Sequence, residues 1–253
     1  MNKTFSLGLA AAGFWACFGM AQAAPEAVTE TRPIDARVVR VRLDGAVDLR
    51  IRQGSTASLT LSGDPRWLQK TVTVQHGDTL NIDADVHGRM RMGALHAELT
   101  LPALRELKSE SLGSTDVSGF SGDELELSLD GAGSMRISCH YRLVSASLGG
   151  IGSMHLQSLG GEGVDLNLRG AGFVTLSGSA KWLKADLGGL GNLDAREFAA
   201  DSVDVDLSGL GNASVTAHQN AMLNLSGMGS VTVYGKPLNR RVAVDGLGKV
   251  SWK

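Results

Sequence analysis

From Leu125 to the C-terminus, apolar and polar residues alternate, and the alternation is broken at near-constant intervals by a glycine, one apolar residue and a second glycine. Seven such breaks occur: Gly131-Ala132-Gly133, Gly150-Ile151-Gly152, Gly170-Ala171-Gly172, Gly189-Leu190-Gly191, Gly209-Leu210-Gly211, Gly227-Met228-Gly229 and Gly246-Leu247-Gly248. Ser111-Leu112-Gly113 is a degenerate eighth. The second glycines, from Gly113 to Gly248, are separated by 20, 19, 20, 19, 20, 18 and 19 residues. A ladder this regular marks a repeat architecture.

The flanks of each break read as strands. Leu129, Leu148, Leu168, Leu187, Leu207, Leu225 and Val244 stand four residues before the second glycine, with a second apolar position two residues earlier. After the break, Met135, Met154, Val174, Leu193, Ala213, Val231 and Val250 begin the next apolar row. Polar residues such as Ser147, Asn167, Asp186, Asp206 and Asn224 fill the intervening places. Period-2 alternation of this kind predicts strands with one face buried.

Each repeat is therefore read as a strand, a tight glycine corner, a second strand and a variable return segment. One repeat cannot bury its own apolar face, whereas stacked repeats can. The predicted fold is all-β: a parallel β-helix or β-solenoid of about eight coils of about 19 residues, roughly 38 Å long at the strand spacing of about 4.8 Å. The glycines are expected to supply positive φ and close stacking. The apolar residue between them is expected to face the core. A meander of hairpins would turn about every 10 residues through Asn-Gly or Asp-Gly pairs, which this chain does not do.

The earlier part is less regular. Strand-like stretches at Arg37 to Leu43, Val47 to Arg52, Ser58 to Leu61, Thr71 to Val74 and Thr79 to Ile82 are separated by turn signals, and residues 65–70 suggest a short helical turn. Residues 35–105 are read as an irregular β cap on the solenoid, as open solenoid ends need capping. Residues 106–253 are read as the repeat coils, and the two together as one domain at 35–253.

The N-terminus predicts export. Lys3, an uncharged apolar run from Phe5 to Met20, and Ala21-Gln22-Ala23 follow the order of a cleavable leader. Cleavage after Ala23 makes 1–23 the leader and 24–34 a linker. No further run of 18 apolar residues follows, so no transmembrane segment is expected after cleavage. The periplasm is the expected destination, with the cell surface or exterior as alternatives. Cys139 becomes the only cysteine, which excludes an internal disulfide.

The glycine total of 33 and net charge of -2 now have a context: glycine punctuates a folded repeat protein. A Rossmann fingerprint needs a third glycine and a following helix, and here a strand follows. Calcium β-rolls need an aspartate in each nonapeptide, which is missing. The histidines have no metal-ligand spacing. No cofactor, metal or catalytic residue is therefore assigned. A pI near 6.3 argues against nucleic acid as a partner.

The run Val47-Asp48-Leu49-Arg50-Ile51-Arg52-Gln53-Gly54, the strand Gly77-Asp78-Thr79-Leu80-Asn81-Ile82, and Leu99-Thr100-Leu101-Pro102-Ala103-Leu104 leading into the glycine corners resemble the family named putative autotransporter adhesin head GIN domain. The resemblance covers roughly Arg37 to the C-terminus. It implies a secreted bacterial β-helix-like domain of unknown function and carries over no site residue.

Two surface patches are singled out. Asp186 and Asp206 occupy matching outward positions of adjacent coils and Asp204 shares their face, with no basic residue expected beside them. Arg37, Arg40, Arg42, Arg50 and Arg52 make the capping region locally positive, suited to an acidic polymer. The leading functional reading is a non-enzymatic envelope module that presents a surface to a glycan or protein partner. The alternative is a polysaccharide-degrading enzyme using the three aspartates. The pattern specifies no oligomeric state.

Overall fold

The computed structural model describes residues 27–84 and 95–253. The expected leader at 1–23, and His87 with the loop Arg89 to Met92, lie outside the described residues. Short strands come first: β1 (Val28–Arg32), β2 (Arg40–Gly45), β3 (Asp48–Gln53) and β4 (Ser58–Gly63). A one-turn helix α1 (Pro65–Leu68) follows, started by Asp64, whose carboxylate accepts from the Arg66 amide at 2.9 Å. Then come β5 (Thr71–His76), β6 (Thr79–Ala84), β7 (Leu95–Leu101) and β8 (Glu106–Ser109). Six long strands succeed them: β9 (Ser114–Leu129), β10 (Ser134–Leu148), β11 (Ser153–Leu168), β12 (Phe173–Leu187), β13 (Asn192–Leu207) and β14 (Asn212–Leu225). The chain finishes with β15 (Ser230–Tyr234), β16 (Asn239–Val244) and β17 (Lys249–Trp252).

The long strands stack in parallel and in sequence order, so the repeat region is a β-solenoid. Eight corners, Gly113 to Gly248, bound seven full turns, one fewer than the count of corners suggests. The return segment is itself extended, so each coil is one bent strand. Differences in coil length are taken up at the bend, as register shifts between Cys139 and Leu143, Leu159 and Gly161, or Ala195 and Ala199. Phe120 and Phe198 fill the interior near such bends with no exposed surface.

The interior is a set of apolar columns, one residue per coil. Leu129, Leu148, Leu168, Leu187, Leu207 and Leu225 are all buried, as are Met135, Met154, Val174, Leu193, Ala213 and Val231. Val244 continues the first column but is 45% exposed. The reason is local: β16 pairs only with β14, and β17 only with β15, so no described strand covers the last coil.

The glycine corners work differently from expectation. None of the fourteen paired glycines has a positive φ; that conformation occurs instead at Gly45, Gly63, Gly77, Gly119, Gly160, Gly178 and Gly235. What the corners require is room. A Cβ on Gly150, Gly170, Gly189, Gly209 or Gly227 would run into a carbonyl oxygen of the coil below. The backbone ladder passes unbroken through the turn, with Ile151 N donating to Gly131 O at 3.2 Å and Ser153 N to Gly133 O at 3.2 Å.

The residue between the glycines is also placed differently. It faces solvent, not the core: Leu112, Ile151, Leu190, Leu210, Met228 and Leu247 are all exposed, Ile151 by 75% and Leu247 by 81%. With both flanking peptides held flat in the ladder, the single side chain at the apex can only project outward. The result is an apolar ridge along one edge of the rod.

At the N-terminal end the stacking order departs from sequence order. The β2–β3 coil lies between two others: β2 pairs with both β6 and β8, and β3 with both β7 and β9. Beyond it the sheet turns antiparallel, through β5 on β6, β4 on β7 and β1 on β4. The stretch 24–34, expected as a linker, thus contributes β1, which Arg32 anchors by donating to Thr71 O at 2.6 Å and Leu68 O at 3.0 Å. Antiparallel strands end the parallel growth of coils at this end.

Adjacent glycines at one corner make a test of the steric account. Gly189→Ala places a methyl against the carbonyl of Gly170, whereas Gly188→Ala meets only Ser208 Oγ at 3.7 Å and Arg169 Cγ at 4.0 Å. Thermal unfolding should show a loss of about 1–3 kcal/mol for Gly189→Ala, or several degrees at about 2–4 °C per kcal/mol. Gly188→Ala should lie close to the parent. Equal melting points for the two variants would defeat the close-approach explanation.

Candidate functional site

The outward residues of the second half of each coil form a grid that neither short-range pattern nor spacing reveals in full. In one column Ser145, Asp165, Lys184, Asp204, Met222 and Arg241 stand in register. In the next stand Ser147, Asn167, Asp186, Asp206 and Asn224. The three aspartates expected to share a face do share it. The expectation that nothing basic joins them is corrected: Lys184 is in register with Asp204, and its Nζ lies 3.3 Å from Asp186 Oδ2.

This placement separates the three carboxylates electrically. Partial burial pushes the Asp204 carboxyl above the usual range, opposed by Lys184 and reinforced by Asp186 and Asp206. The hydrogen bond from Lys184 to Asp186 in turn raises the Lys184 ammonium. Asp206 is exposed, and with Asp186, Asn167, Arg169 and Ser208 it lines a small hollow of about 240 Å³.

Trp182 organises the face. It is in register with Gly163 one coil below, and its indole lies against that glycine so closely that a Cβ there would overlap the ring. On the C-terminal side of the indole is a groove of about 920 Å³, lined by Lys184, Asp204, Met222, Leu238, Arg240 and Arg241. On the other side a second groove of about 840 Å³ is lined by Tyr141, Leu143, Asp165, Glu124, Glu126 and Arg40. A ladder of amides crosses the first groove: Asn239 Nδ2 donates to Asn220 Oδ1 at 2.8 Å, and Asn220 Nδ2 to Ser202 Oγ at 2.8 Å. One groove is thus rich in cations and the other in carboxylates, with a tryptophan between.

The arginines of the capping region point outward from β2 and β3, but each strand neighbour brings carboxylates. Arg40 Nη1 meets Asp78 Oδ2 at 3.1 Å and Arg40 Nε meets Glu106 Oε2 at 3.4 Å, while Arg42 and Arg50 face Glu106 and Glu98 at 4.0 and 3.9 Å. Arg37 is held by Asp35 at 2.8 Å. Arg52 follows Arg50 on the exposed face of β3. The cations are interleaved with anions, and Arg40 borders the carboxylate-rich groove.

Other titratable groups are accounted for by structure. Two hydrogen bonds from Arg196 hold Asp194 below the usual carboxylate range. Burial pushes the Cys139 thiol up to about 12, which leaves it a core residue. Tyr141, pushed up to about 12 by the same cause, donates its hydroxyl to Leu104 O at 2.6 Å. Among the described residues no three His, Cys, Asp or Glu side chains gather as a metal site requires. Sequence reasoning passed over Trp182, Met222 and Leu238. The one available signal was that Gly163 and Trp182 stand 19 residues apart, at the same repeat position.

The family model described as "Putative auto-transporter adhesin, head GIN domain" matches residues 39–237. Among solved structures, an adhesin-titled protein from Parabacteroides distasonis superposes with a TM-score of 0.79 at 17% identity, covering 90% of this chain and 98% of that one. A second, from Parabacteroides merdae, gives 0.78 at 16% identity over 89% and 96%. A protein from Parabacteroides distasonis titled "Putative lipid binding protein" gives 0.79 at 18% identity over 90% and 96%. At these identities the likeness establishes the fold. No curated protein matches.

The raised Asp204 carboxyl has a stability consequence with a definite sign. Its proton is held more tightly in the folded than in the unfolded chain, so stability falls as pH rises through the window from the usual carboxylate value to the raised one. Asp204→Asn should therefore melt higher than the parent at pH 7. The difference should vanish near pH 3, where both forms are neutral. A variant that melts lower at pH 7 would reverse the assignment.

Proposed function

The chain belongs to the auto-transporter adhesin head GIN domain family, and from that premise we propose that it is an exported, non-enzymatic binding module of the cell envelope, taking an acidic glycan in the cation-rich groove on the C-terminal side of Trp182. Family membership and fold support a binding role. The observation that carries the glycan reading is the seating of Trp182 against Gly163 between two open grooves, because a flat aromatic beside hydrogen-bonding side chains suits the apolar face and hydroxyl edge of a sugar. Lys184, Arg240 and Arg241 favour carboxylated or phosphorylated residues on the C-terminal side. The chain works as an envelope protein, reaching the periplasm or cell surface through the leader at 1–23.

A glycan array of cell-wall, outer-membrane and host polysaccharides tests this reading. Binding of acidic glycans should weaken with added salt. It should fall about two- to tenfold in Trp182→Ala, since stacking is worth about 0.5–1.5 kcal/mol. No signal at sub-millimolar protein would remove the glycan reading. Release of reducing ends that is lost in Asp204→Asn would replace it with the degrading-enzyme alternative built on Asp186, Asp204 and Asp206.

A further inference from the structure

The apolar ridge from Leu112 to Leu247 lies away from the Trp182 groove and is not used by the proposed glycan function. Its members are 46–81% exposed, and Phe173, beside the ridge, is 45% exposed. At on the order of 100 Å² of apolar surface per fully exposed Leu-sized side chain, the ridge presents about 400 Å². That is half of the roughly 800 Å² per partner in a standard interface, with the rims available for the remainder. A strip of this size is comparable to the largest apolar patch of a typical monomer, which is often an interaction site.

We propose that this ridge is the docking surface for a second copy of the chain, in a parallel pair whose two-fold axis runs along the rod. Three observations favour that occupant. The ridge repeats once per coil, at the parallel-strand spacing of about 4.8 Å, and a second copy matches that repeat at every coil. Its rims are mostly small and uncharged: Gly149, Gly188, Ser208 and Ser226 precede the corners, and serines or asparagines follow most of them. Of the charged exceptions, Glu110 and Asp130 face Ser114 and Ser134 of the second copy, while Arg169, Asp245 and Lys249 find complementary partners. Each corner carries one rim residue before it and one after it, and a two-fold along the rod sets the first rim of one copy against the second rim of the other at equal height. Asp245 then meets Lys249 of the second copy, and Arg169 meets the ring of its Phe173. A lipid surface is less well served, because the rims hold few cations to meet anionic headgroups.

Sedimentation equilibrium of protein purified after expression with its own leader provides the test. The expected result is a reversible dimer at micromolar concentrations. Leu190→Asp, an exposed substitution, should weaken it at least tenfold. Leu190→Cys should form a disulfide-linked dimer with itself on mild oxidation, since the same coil faces itself, while the buried Cys139 leaves the parent uncross-linked. Asp245→Lys and Lys249→Asp should each weaken the dimer several-fold, and the double reversal should restore it. A monomer at several hundred micromolar, a dimer indifferent to Leu190→Asp, or charge reversals without rescue would overturn the proposal. Sedimentation with phosphatidylcholine–phosphatidylglycerol vesicles that Leu190→Asp abolishes would also overturn it, by assigning the ridge to lipid. These readouts are independent of glycan binding.

Discussion

The approach of one coil to the next at the glycine corners governs this molecule. The apex amides of Ile151, Ala171, Leu190, Leu210 and Met228 donate to carbonyls of the corner below, so the parallel ladder does not stop at the edge of the sheet but continues around it. That continuity needs the carbonyl oxygen to occupy space that any Cβ would take. Glycine is retained here for its missing side chain, and positive φ is reserved for other glycines in the bends and hairpins. Because successive coils repeat the constraint, the corners stay in register, and the apolar interior columns follow from it.

A rod built this way has little freedom inside and considerable freedom outside. The interior positions are spoken for by packing, and the variation in coil length is absorbed at the bulged bends. Outward positions carry no such demand, so they can hold functional chemistry without altering the fold. Trp182 illustrates the coupling between the two: the indole lies against the sheet only because the residue below it is Gly163. Lys184, Asp186 and Asp204 show the same effect in electrostatics, since their mutual distances are set by coil stacking. The ridge and the groove then occupy different sides of one rod, which allows self-association and ligand binding to coexist.

The alternation of residues, the corner positions and the capping strands β2 to β6 were all legible from local sequence, because period and turn chemistry act within a few residues. The exposed corner residue was not legible. An apolar side chain between two glycines satisfies a core reading equally well until the ladder through the corner is known. The interleaving of Arg40 and Arg42 with Glu106 was equally hidden, since the β2–β3 coil is inserted between two later segments of the chain.

By itself, then, the sequence determined the all-β class, the coil period, which strand side chains line the interior and where each coil turns. These are consequences of short-range geometry repeated seven times. The tertiary structure alone decided the stacking order at the N-terminal end, the outward ridge, the charge neighbours of each aspartate and arginine, and the seat of Trp182. Those depend on register between residues about a coil or more apart, and register arises only when the coils are stacked and their carbonyls and missing Cβ atoms meet.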